Sequence, residues 1–253
     1  MLMPPSQKKA PGGRRAQHKG AFDEALDEPR RRVRDALATF IVNASTRELE
    51  TTLQARGPLL AQALGATNDF FSEHAQLMPS WRRYQGVVWI HLDPGSLSPA
   101  QRRQIMVPSA LYELNSGDDF IADYRLKMNV GLSPLGSLAR FWKPHLTSLL
   151  AQGPKNVTIV NFLPQEHAAS LDFASLSKSH RVVHVHFVAS DESRAVGHDA
   201  KAVKGVVARR IVTDGLSALD EMTWRDWHVR RVGSDVVVTA PARDHPCPER
   251  PPS

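Results

Sequence analysis

Runs of apolar residues predict both strands and helices along this chain. Compact β-branched segments at 157–163 (VTIVNFL) and 181–190 (RVVHVHFVAS) are typical of central strands. The residues at 227–240 alternate around Gly233, which predicts a hairpin. Valines at helical spacing predict a helix from about 199 to Gly215. Together these elements predict an α/β or α+β single domain with a mixed central sheet and surrounding helices.

The first hundred residues predict mainly helices. One helix is expected to begin at about Asp27. Gly65 is expected to end a later helix, and Thr67 or Asn68 to cap another that runs to about Leu77. These boundaries depend on capping chemistry and on the placement of glycine.

The two ends of the chain differ from the rest in composition. Residues 1–20 are rich in proline, glycine and basic residues and predict a loop. Residues 241–253 form a Pro-rich tail that we expect to be disordered, which leaves 1–240 as the domain.

Overall composition excludes several classes of protein. The chain has 253 residues, of which 42% are hydrophobic, and no apolar run approaches the ~20 residues that cross a bilayer. Its N-terminus lacks the apolar core of a secretory signal, and its one cysteine, Cys247, has no intramolecular disulfide partner. We therefore expect a cytoplasmic protein without a membrane partner.

The positive charge is concentrated at the N-terminus. Residues 1–20 carry five basic side chains and no acid, while the whole chain has a formal net charge of +6. Such an excess is typical of a polyanion binder, but a solvated, flexible arm has the same composition.

Histidines suggest a metal site only weakly. His184 and His186 are two apart on a predicted strand and project to one face, yet no third ligand is evident nearby. An ordinary strand with a half-polar face is favoured over a metal or haem site. Because nucleotide-binding and zinc motifs are also missing, no metal and no cofactor are predicted.

Two basic clusters are candidates for binding an anion. Arg125 and Lys127 lie two apart and face the same side of an extended segment. Lys201 and Lys204 lie three apart near the start of a helix, where Gly205 suggests close approach of a backbone or ligand. A solvated turn and a basic solvent-facing helix are the alternative interpretations of these clusters.

Several segments, in order, resemble the YaaA peroxide-stress protein family in its actinobacterial form. The resemblance begins at MLMPPSQKKAPGG and runs nearly end to end, and its most specific segments are DYRLKMNVGLSPLG and HDAKAVKGVVARRIV. It implies a mixed α/β fold with a positively charged cleft and a helix-hairpin-helix-like element. It also implies DNA binding in the oxidative-stress response. By motif match, the cleft residues would be Ser6, Lys8 or Lys9, Tyr124, Arg125, Lys127, Lys201, Lys204 and Arg209.

The chain departs from the family pattern at polar positions. The Ser-Glu-Gly-Lys loop ends here in Gln7-Lys8-Lys9. The usual Leu-Tyr-Gly-Leu-Leu-Arg-Pro reads Leu111-Tyr112-Glu113-Leu114-Asn115-Ser116-Gly117. The Ser-x-Glu-Tyr segment reads Pro164-Gln165-Glu166-His167. These changes indicate a divergent member whose ligand differs from the usual one.

Two functions follow from these residues and from the resemblance, and whether the protein is an enzyme stays open. The first is non-specific DNA binding through the basic cleft. The second is an enzyme that displaces sulfate or phosphate from a small anionic substrate, with an internal amine closing a ring of the aziridine type. Its general base would be Glu166, His167 or His198. The sequence leaves a partner subunit open. The resemblance also implies that residues 1–9 belong to the fold and that only Pro11–Gly20 form a flexible loop.

Overall fold

The computed structural model describes residues 1–15, 20–72, 75–189, 197–220 and 222–241. The Pro-rich tail from 242 onward and Cys247 lie outside these ranges. The helices are α1 (Asp23–Asn43), α2 (Thr46–Leu53), α3 (Pro58–Phe71), α4 (Ser80–Arg83), α5 (Val87–Leu92), α6 (Pro99–Arg102), α7 (Leu138–Gln152), α8 (Gln165–Ala168), α9 (Phe173–Leu176) and α10 (His198–Asp214). Short 3-10 turns cover Pro94–Ser96 and Leu216–Leu219.

The strands are β1 (Arg14–Arg15), β2 (Gln76–Pro79), β3 (Met106–Pro108), β4 (Leu114–Ser116), β5 (Phe120–Ile121), β6 (Gly131–Leu132), β7 (Gly136–Ser137), β8 (Thr158–Asn161), β9 (Arg181–Val188), β10 (Thr223–Trp224), β11 (Trp227–Val232) and β12 (Asp235–Thr239). Five of them form a sheet in the order β10-β11-β12-β9-β8. The β12-β9-β8 part is parallel and the rest is antiparallel, so the predicted mixed sheet is confirmed.

The N-terminal segment joins this sheet to the β3-β4 pair. Leu2 forms parallel bridges to Asn161 in β8 and to Met106 in β3. Its amide donates to Val160 O at 2.8 Å, and Met3 N donates to Met106 O at 2.9 Å. Leu2 and Met3 are buried, because the two sheets close over them. Residues 1–9 therefore belong to the fold, as predicted.

One hydrophobic core runs through the chain from Leu2 to Val238 and supports a single mixed α/β domain. A separate small cluster of Leu53, Ala55, Leu60 and Ala63 holds α2 against α3. Within the described residues, no helix is both long and apolar enough to cross a bilayer.

Several predicted helix boundaries are wrong. Helix α1 begins at Asp23 rather than at about Asp27. Gly65 does not end a helix, because α3 continues through it to Phe71. Thr67 and Asn68 therefore lie inside α3, and Leu77 lies in β2 rather than in a helix. A single glycine costs a helix only about 1 kcal/mol, which the apolar face of α3 offsets.

The predicted flexible loop at Pro11–Gly20 is wrong in part. Arg14 and Arg15 pair antiparallel with Leu77 and Gln76, so this portion is held by backbone hydrogen bonds. Residues 16–19 lie outside the described ranges. By contrast, the predicted end of α10 at Gly215 and the hairpin at Gly233 are confirmed, and both glycines have positive φ.

Candidate anion-binding site

The strand order of the sheet indicates which edge of the molecule is a candidate ligand-binding site. Leu2, β3, β8 and β9 are linked by parallel pairing, so their carboxyl ends meet along the same edge. From Leu2 the chain crosses to β3 on one side and later to β8 on the other. Such a reversal of strand order is where open α/β sheets bind their ligands. The loops that start there are 4–9, 109–113 and 162–167.

Lys9, from the first of these loops, is held against Tyr124. Its ammonium group lies 4.1 Å from the ring centroid and donates to the Tyr124 carbonyl oxygen at 2.8 Å. Burial lowers the pKa of Lys9 to about 8; Asp123 opposes this shift, while Arg125 and Arg83 add to it. Lys9 is thus a shielded cation at the edge of the sheet.

The Tyr124 hydroxyl lies in a buried chain of hydroxyl groups. Ser109 Oγ donates to it at 2.8 Å, and the Tyr84 hydroxyl oxygen lies 3.0 Å away. Burial raises the pKa of Tyr124 to about 12. Tyr124 therefore supports Lys9 from the protein interior rather than lining an open cleft. Sequence reasoning missed Tyr84 and Ser109, because only the fold brings them to Tyr124.

His167 and Glu166 follow the end of β8. His167 is buried, its Nδ1 atom has no hydrogen-bond partner, and its Nε2 atom lies 3.8 Å from Glu166 Oε1. Burial lowers the pKa of His167, and Lys127 adds to this shift, while Glu166 and the backbone of Pro108 oppose it; the net lowering favours the neutral imidazole at pH 7. This pair can accept a proton at the strand ends. His198, the third candidate base, is exposed at the first residue of α10.

Helix α10 brings one of its two lysines to the same edge. Lys204 Nζ donates to Phe162 O at 3.2 Å, just after β8, and lies 4.8 Å from the Phe187 ring centroid. Lys201 is exposed in the first turn. The predicted close approach at Gly205 is a helix contact: an added Cβ would lie 2.7 Å from His91 Cβ and 2.9 Å from Leu92 N in α5.

Other predicted anion ligands bind parts of the protein itself. Arg125 donates to Leu53 O and Gln54 O, each at 2.8 Å, and Lys127 donates to Gln54 Oε1. The two side chains point the same way, as their spacing predicts, and cap the end of α2. Arg209 donates to Leu92 O at 3.2 Å and to Ser96 Oγ at 2.6 Å, beyond the end of α5.

Ser6 and Lys8 border a pair of short helices. Ser6 packs against Gly86, whose position leaves no room for a Cβ. Gly86 ends the three-residue connection between α4 and α5. Lys8 is exposed, and its carbonyl oxygen accepts from Gln85 N at 3.0 Å. The N-terminal segment thus runs beside the two short helices α4 and α5.

The formal net charge of the chain equals the charge on two segments that pair with each other, while the positive and negative charges of the remaining residues cancel. Residues 1–15 contain four basic side chains, residues 75–92 contain two, and neither segment has an acid. Together they account for the whole formal net charge of +6. Backbone bonds hold them side by side, from Arg15 opposite Gln76 to Lys9 opposite Tyr84. We call this unit the basic ribbon; its exposed cations are Lys8, Arg14, Arg15 and Arg82.

A shallow depression of about 460 Å³ lies on the basic ribbon. Lys8 and Arg82 line it together with Trp81, the exposed Ile90 and Asp93, whose carboxylate is paired with Arg209. Arg82 and Arg102 lie 5.9 and 5.1 Å from the Trp81 ring centroid. Cations around an aromatic ring suit a phosphate backbone with an unstacked base. Sequence reasoning missed Trp81 and Arg82, although the acid-free stretch 75–92 was visible.

Comparison with known proteins identifies the family. The family model described as peroxide stress protein YaaA matches residues 1–229. The chain belongs to this family. It is also 26% identical over 221 residues to a protein of Corynebacterium efficiens named UPF0246 protein CE1889, and the match covers 84% of each chain.

The sequence departures within the YaaA family fall at the strand-end loops. Glu113 lies where the family stretch has glycine, and its backbone is left-handed with φ 37°. Its buried Oε1 accepts from Arg30 Nε at 3.0 Å, and Asp23 Oδ1 lies 2.8 Å from Arg30 Nη2. Burial raises the pKa of Glu113 to about 7, against the opposing effect of Arg30. This YaaA-family chain thus holds a buried ion pair beside the hydroxyl chain.

The histidine pair forms no metal site within the described parts of the chain. Asn161 Nδ2 lies 3.0 Å from His184 Nδ1, and His186 Nε2 lies 3.2 Å from Asp235 Oδ2. No group of three or more His, Cys, Asp or Glu side chains in these ranges is arranged to hold a metal ion.

Proposed function

We propose that this YaaA-family protein binds DNA without sequence preference, in the cytoplasm, as part of a peroxide-stress response. The observation that carries the proposal is the concentration of the whole net charge on the basic ribbon. Two of its four exposed cations, Lys8 and Arg82, line the depression together with Trp81, so phosphates and an unstacked base can be contacted together there. The name of the matching family supports the stress role.

Phosphate binding by the ribbon cations predicts how the affinity for DNA depends on salt. Each phosphate that a cation neutralises releases condensed counterions, so log K falls against log salt with a slope of about −0.9 per contact on duplex DNA. Four ribbon cations that all contact phosphates would contribute a slope of about −3.6. Stacking on Trp81 would add about 1–3 kcal/mol for single strands only.

The experiment is a binding titration with labelled single-stranded and duplex DNA across a salt series. We expect replacement of Lys8, Arg14, Arg15 and Arg82 by Gln to abolish most of the affinity and of the salt slope. The matched control replaces four exposed cations elsewhere, Arg47, Lys143, Lys178 and Arg230, by Gln. Equal losses in the two variants, or no binding by the unaltered protein at low salt, would refute the proposal.

A second candidate function has its own structural support. His167 is neutral, buried and unpaired at Nδ1, beside Glu166 at the strand ends where Lys9 and Lys204 supply positive charge. Such a site suits removal of a proton from an amine while an anionic leaving group departs. Sulfate or phosphate is the leaving group that the cations favour. Lys127 already lies close enough to His167 to lower the pKa of the imidazole, whereas Arg125 is held by the carbonyl oxygens at the end of α2.

The enzyme hypothesis is tested with a minimal substrate. 2-Aminoethyl sulfate and 2-aminoethyl phosphate each place an amine next to the leaving group, and ring closure releases inorganic sulfate or phosphate. We expect release above the uncatalysed rate, lost in His167→Gln and retained in His198→Gln, whose side chain is exposed. Release equal to that without protein, with both substrates, would argue against this function.

A further inference from the structure

Lys9 differs from an ordinary lysine in its surroundings. Its side chain is partly buried, its Nζ rests on the Tyr124 ring, and the bond to the Tyr124 carbonyl anchors it. The neighbouring backbone is fixed by the bridge to Tyr84 and by Ala10 N donating to Arg83 O at 2.8 Å. The amine is thus held in one place at the edge of the sheet, while Lys8 beside it is exposed.

Three charged side chains act on this amine: the Asp123 carboxylate raises the pKa of Lys9, and the guanidinium groups of Arg125 and Arg83 lower it. Arg83 is fully buried and uses its donors on the carbonyls of Ala10, Gln76 and Ile121. Arg125 is partly exposed and uses Nε and Nη2 on the end of α2. Its Nη1 atom has no hydrogen bond within the described residues. Arg125 can therefore meet a carboxylate that approaches Lys9, whereas Arg83 adds positive charge only.

We propose that the Lys9 amine is a covalent binding site for small anionic carbonyl compounds, such as aldehydes or 2-oxo acids that carry a carboxylate. The amine attacks the carbonyl carbon, and a proton passes from nitrogen to oxygen to give a carbinolamine. The carbinolamine hydroxyl takes up a proton and leaves as water while the nitrogen lone pair forms the C=N bond, and loss of the remaining N–H proton gives the imine, so no oxidant or reductant is consumed. Arg125 pairs with the carboxylate and orients the carbonyl towards Nζ. This site does not depend on DNA binding.

The titration of Lys9 supports this assignment. With a pKa of about 8, about one Lys9 in ten is neutral at pH 7, against about one in 3,000 for a lysine of ordinary pKa. Only the neutral amine is a nucleophile. A lower pKa also weakens the nucleophile somewhat, so we expect Lys9 to react at least about tenfold faster than exposed lysines.

The test is reductive trapping on the full chain. The protein is incubated with glyoxylate and borohydride, and the carboxymethyl adduct is located by peptide mapping. We expect Lys9 to be labelled before the other lysines. Labelling at position 9 should be unchanged in Lys8→Met and absent in Lys9→Arg. The rate should rise with pH around about 8. Arg125→Gln should slow labelling by glyoxylate but not by acetaldehyde, which has no carboxylate.

Two outcomes would overturn the inference. One is labelling of Lys8 as fast as Lys9 in the unaltered protein, and the other is no adduct on Lys9 under conditions that label Lys8. Both are read from the unaltered protein, so they hold even where Lys9→Arg fails to fold. If Arg125→Gln slows labelling by glyoxylate and by acetaldehyde equally, the proposed pairing of Arg125 with the carboxylate is wrong.

Discussion

Glu113 shows how one residue can reshape the interior at the strand ends. A left-handed backbone favours glycine, which is the residue that the family stretch carries at this position. The glutamate that replaces it reaches Arg30, which is 83 residues away along the chain. Sequence comparison could identify the departure but not the partner, because only the packing of α1 against the 109–113 turn brings Arg30 to the carboxylate.

The raised pKa of Glu113 predicts a pH-dependent stability. The folded protein holds this proton more tightly than the unfolded chain, since burial raises the pKa from 4.5 to about 7. The resulting stability is fully present below about pH 4.5 and is lost as the pH rises through about 7. We therefore expect the free energy of unfolding of the unaltered protein, relative to Glu113→Gln, to fall between about pH 5 and 8 in urea titrations.

Asp27→Asn provides the control for this pH profile. Asp27 also faces an arginine, Arg31, at 3.3 Å, but both side chains are more than half exposed. Such a surface pair contributes little to stability, so the difference in free energy of unfolding between the unaltered protein and Asp27→Asn should not change with pH. The prediction would be contradicted if the free energy of unfolding of the unaltered protein, relative to Glu113→Gln, stayed constant or rose with pH.

At the scale of elements, local chemistry predicted some boundaries and not others. Gly215 ends α10 with φ 84°, a conformation that glycine adopts without strain. Gly65 gave a similar signal in the sequence but lies within α3 and keeps a helical backbone. An added Cβ would meet no atom within 4 Å at either glycine, so the two differ in backbone conformation, which composition and spacing do not encode.

Gly205 and Gly65 give a matched pair of substitutions. In Gly205→Ala, the new methyl group would lie less than 3.0 Å from three atoms of α5, so the two helices must separate. We expect a net loss of about 1–3 kcal/mol in the free energy of unfolding, despite the better helix propensity of alanine. Gly65→Ala meets no atom within 4 Å and should add about 0.5–1 kcal/mol.

Thermal and urea unfolding of the two alanine variants measure this difference directly. The signs should be opposite, with Gly205→Ala melting below the unaltered protein and Gly65→Ala above it. Stabilisation by both would mean that α5 moves aside at no cost and that the contact with α10 is loose.

At the scale of the whole molecule, the fold class and the family could be predicted but the charge arrangement could not. Strand and helix patterns specify the mixed sheet, and the ordered motifs specify the family. Composition alone allows the basic residues of 1–20 to form a flexible arm, whereas the structure pairs Lys9, Arg14 and Arg15 with a second acid-free segment. Likewise the spacing of Arg125 and Lys127 predicts either an anion clamp or a solvated turn, because the sequence does not show that the end of α2 lies against them.

That contact makes α2 and α3 a distinct unit of the molecule. Their small apolar cluster is separate from the main core, and Arg125 and Lys127 bind its edge at Leu53 and Gln54. A hydrogen bond from a charged group contributes about 1.5–3 kcal/mol, and less where it is partly solvated. Loss of the arginine should therefore release α2 locally while leaving the central sheet intact.

Hydrogen exchange tests this local release. In Arg125→Gln we expect amides of α2 to exchange about tenfold faster, which corresponds to about 1.4 kcal/mol of local stability. Amides of β8 and β9, in the main sheet, should keep their rates. Arg140→Gln, an exposed substitution at the start of α7, is the control and should change neither region. Faster exchange in β8 and β9 as well would show that α2 and α3 unfold together with the core rather than as a separate unit.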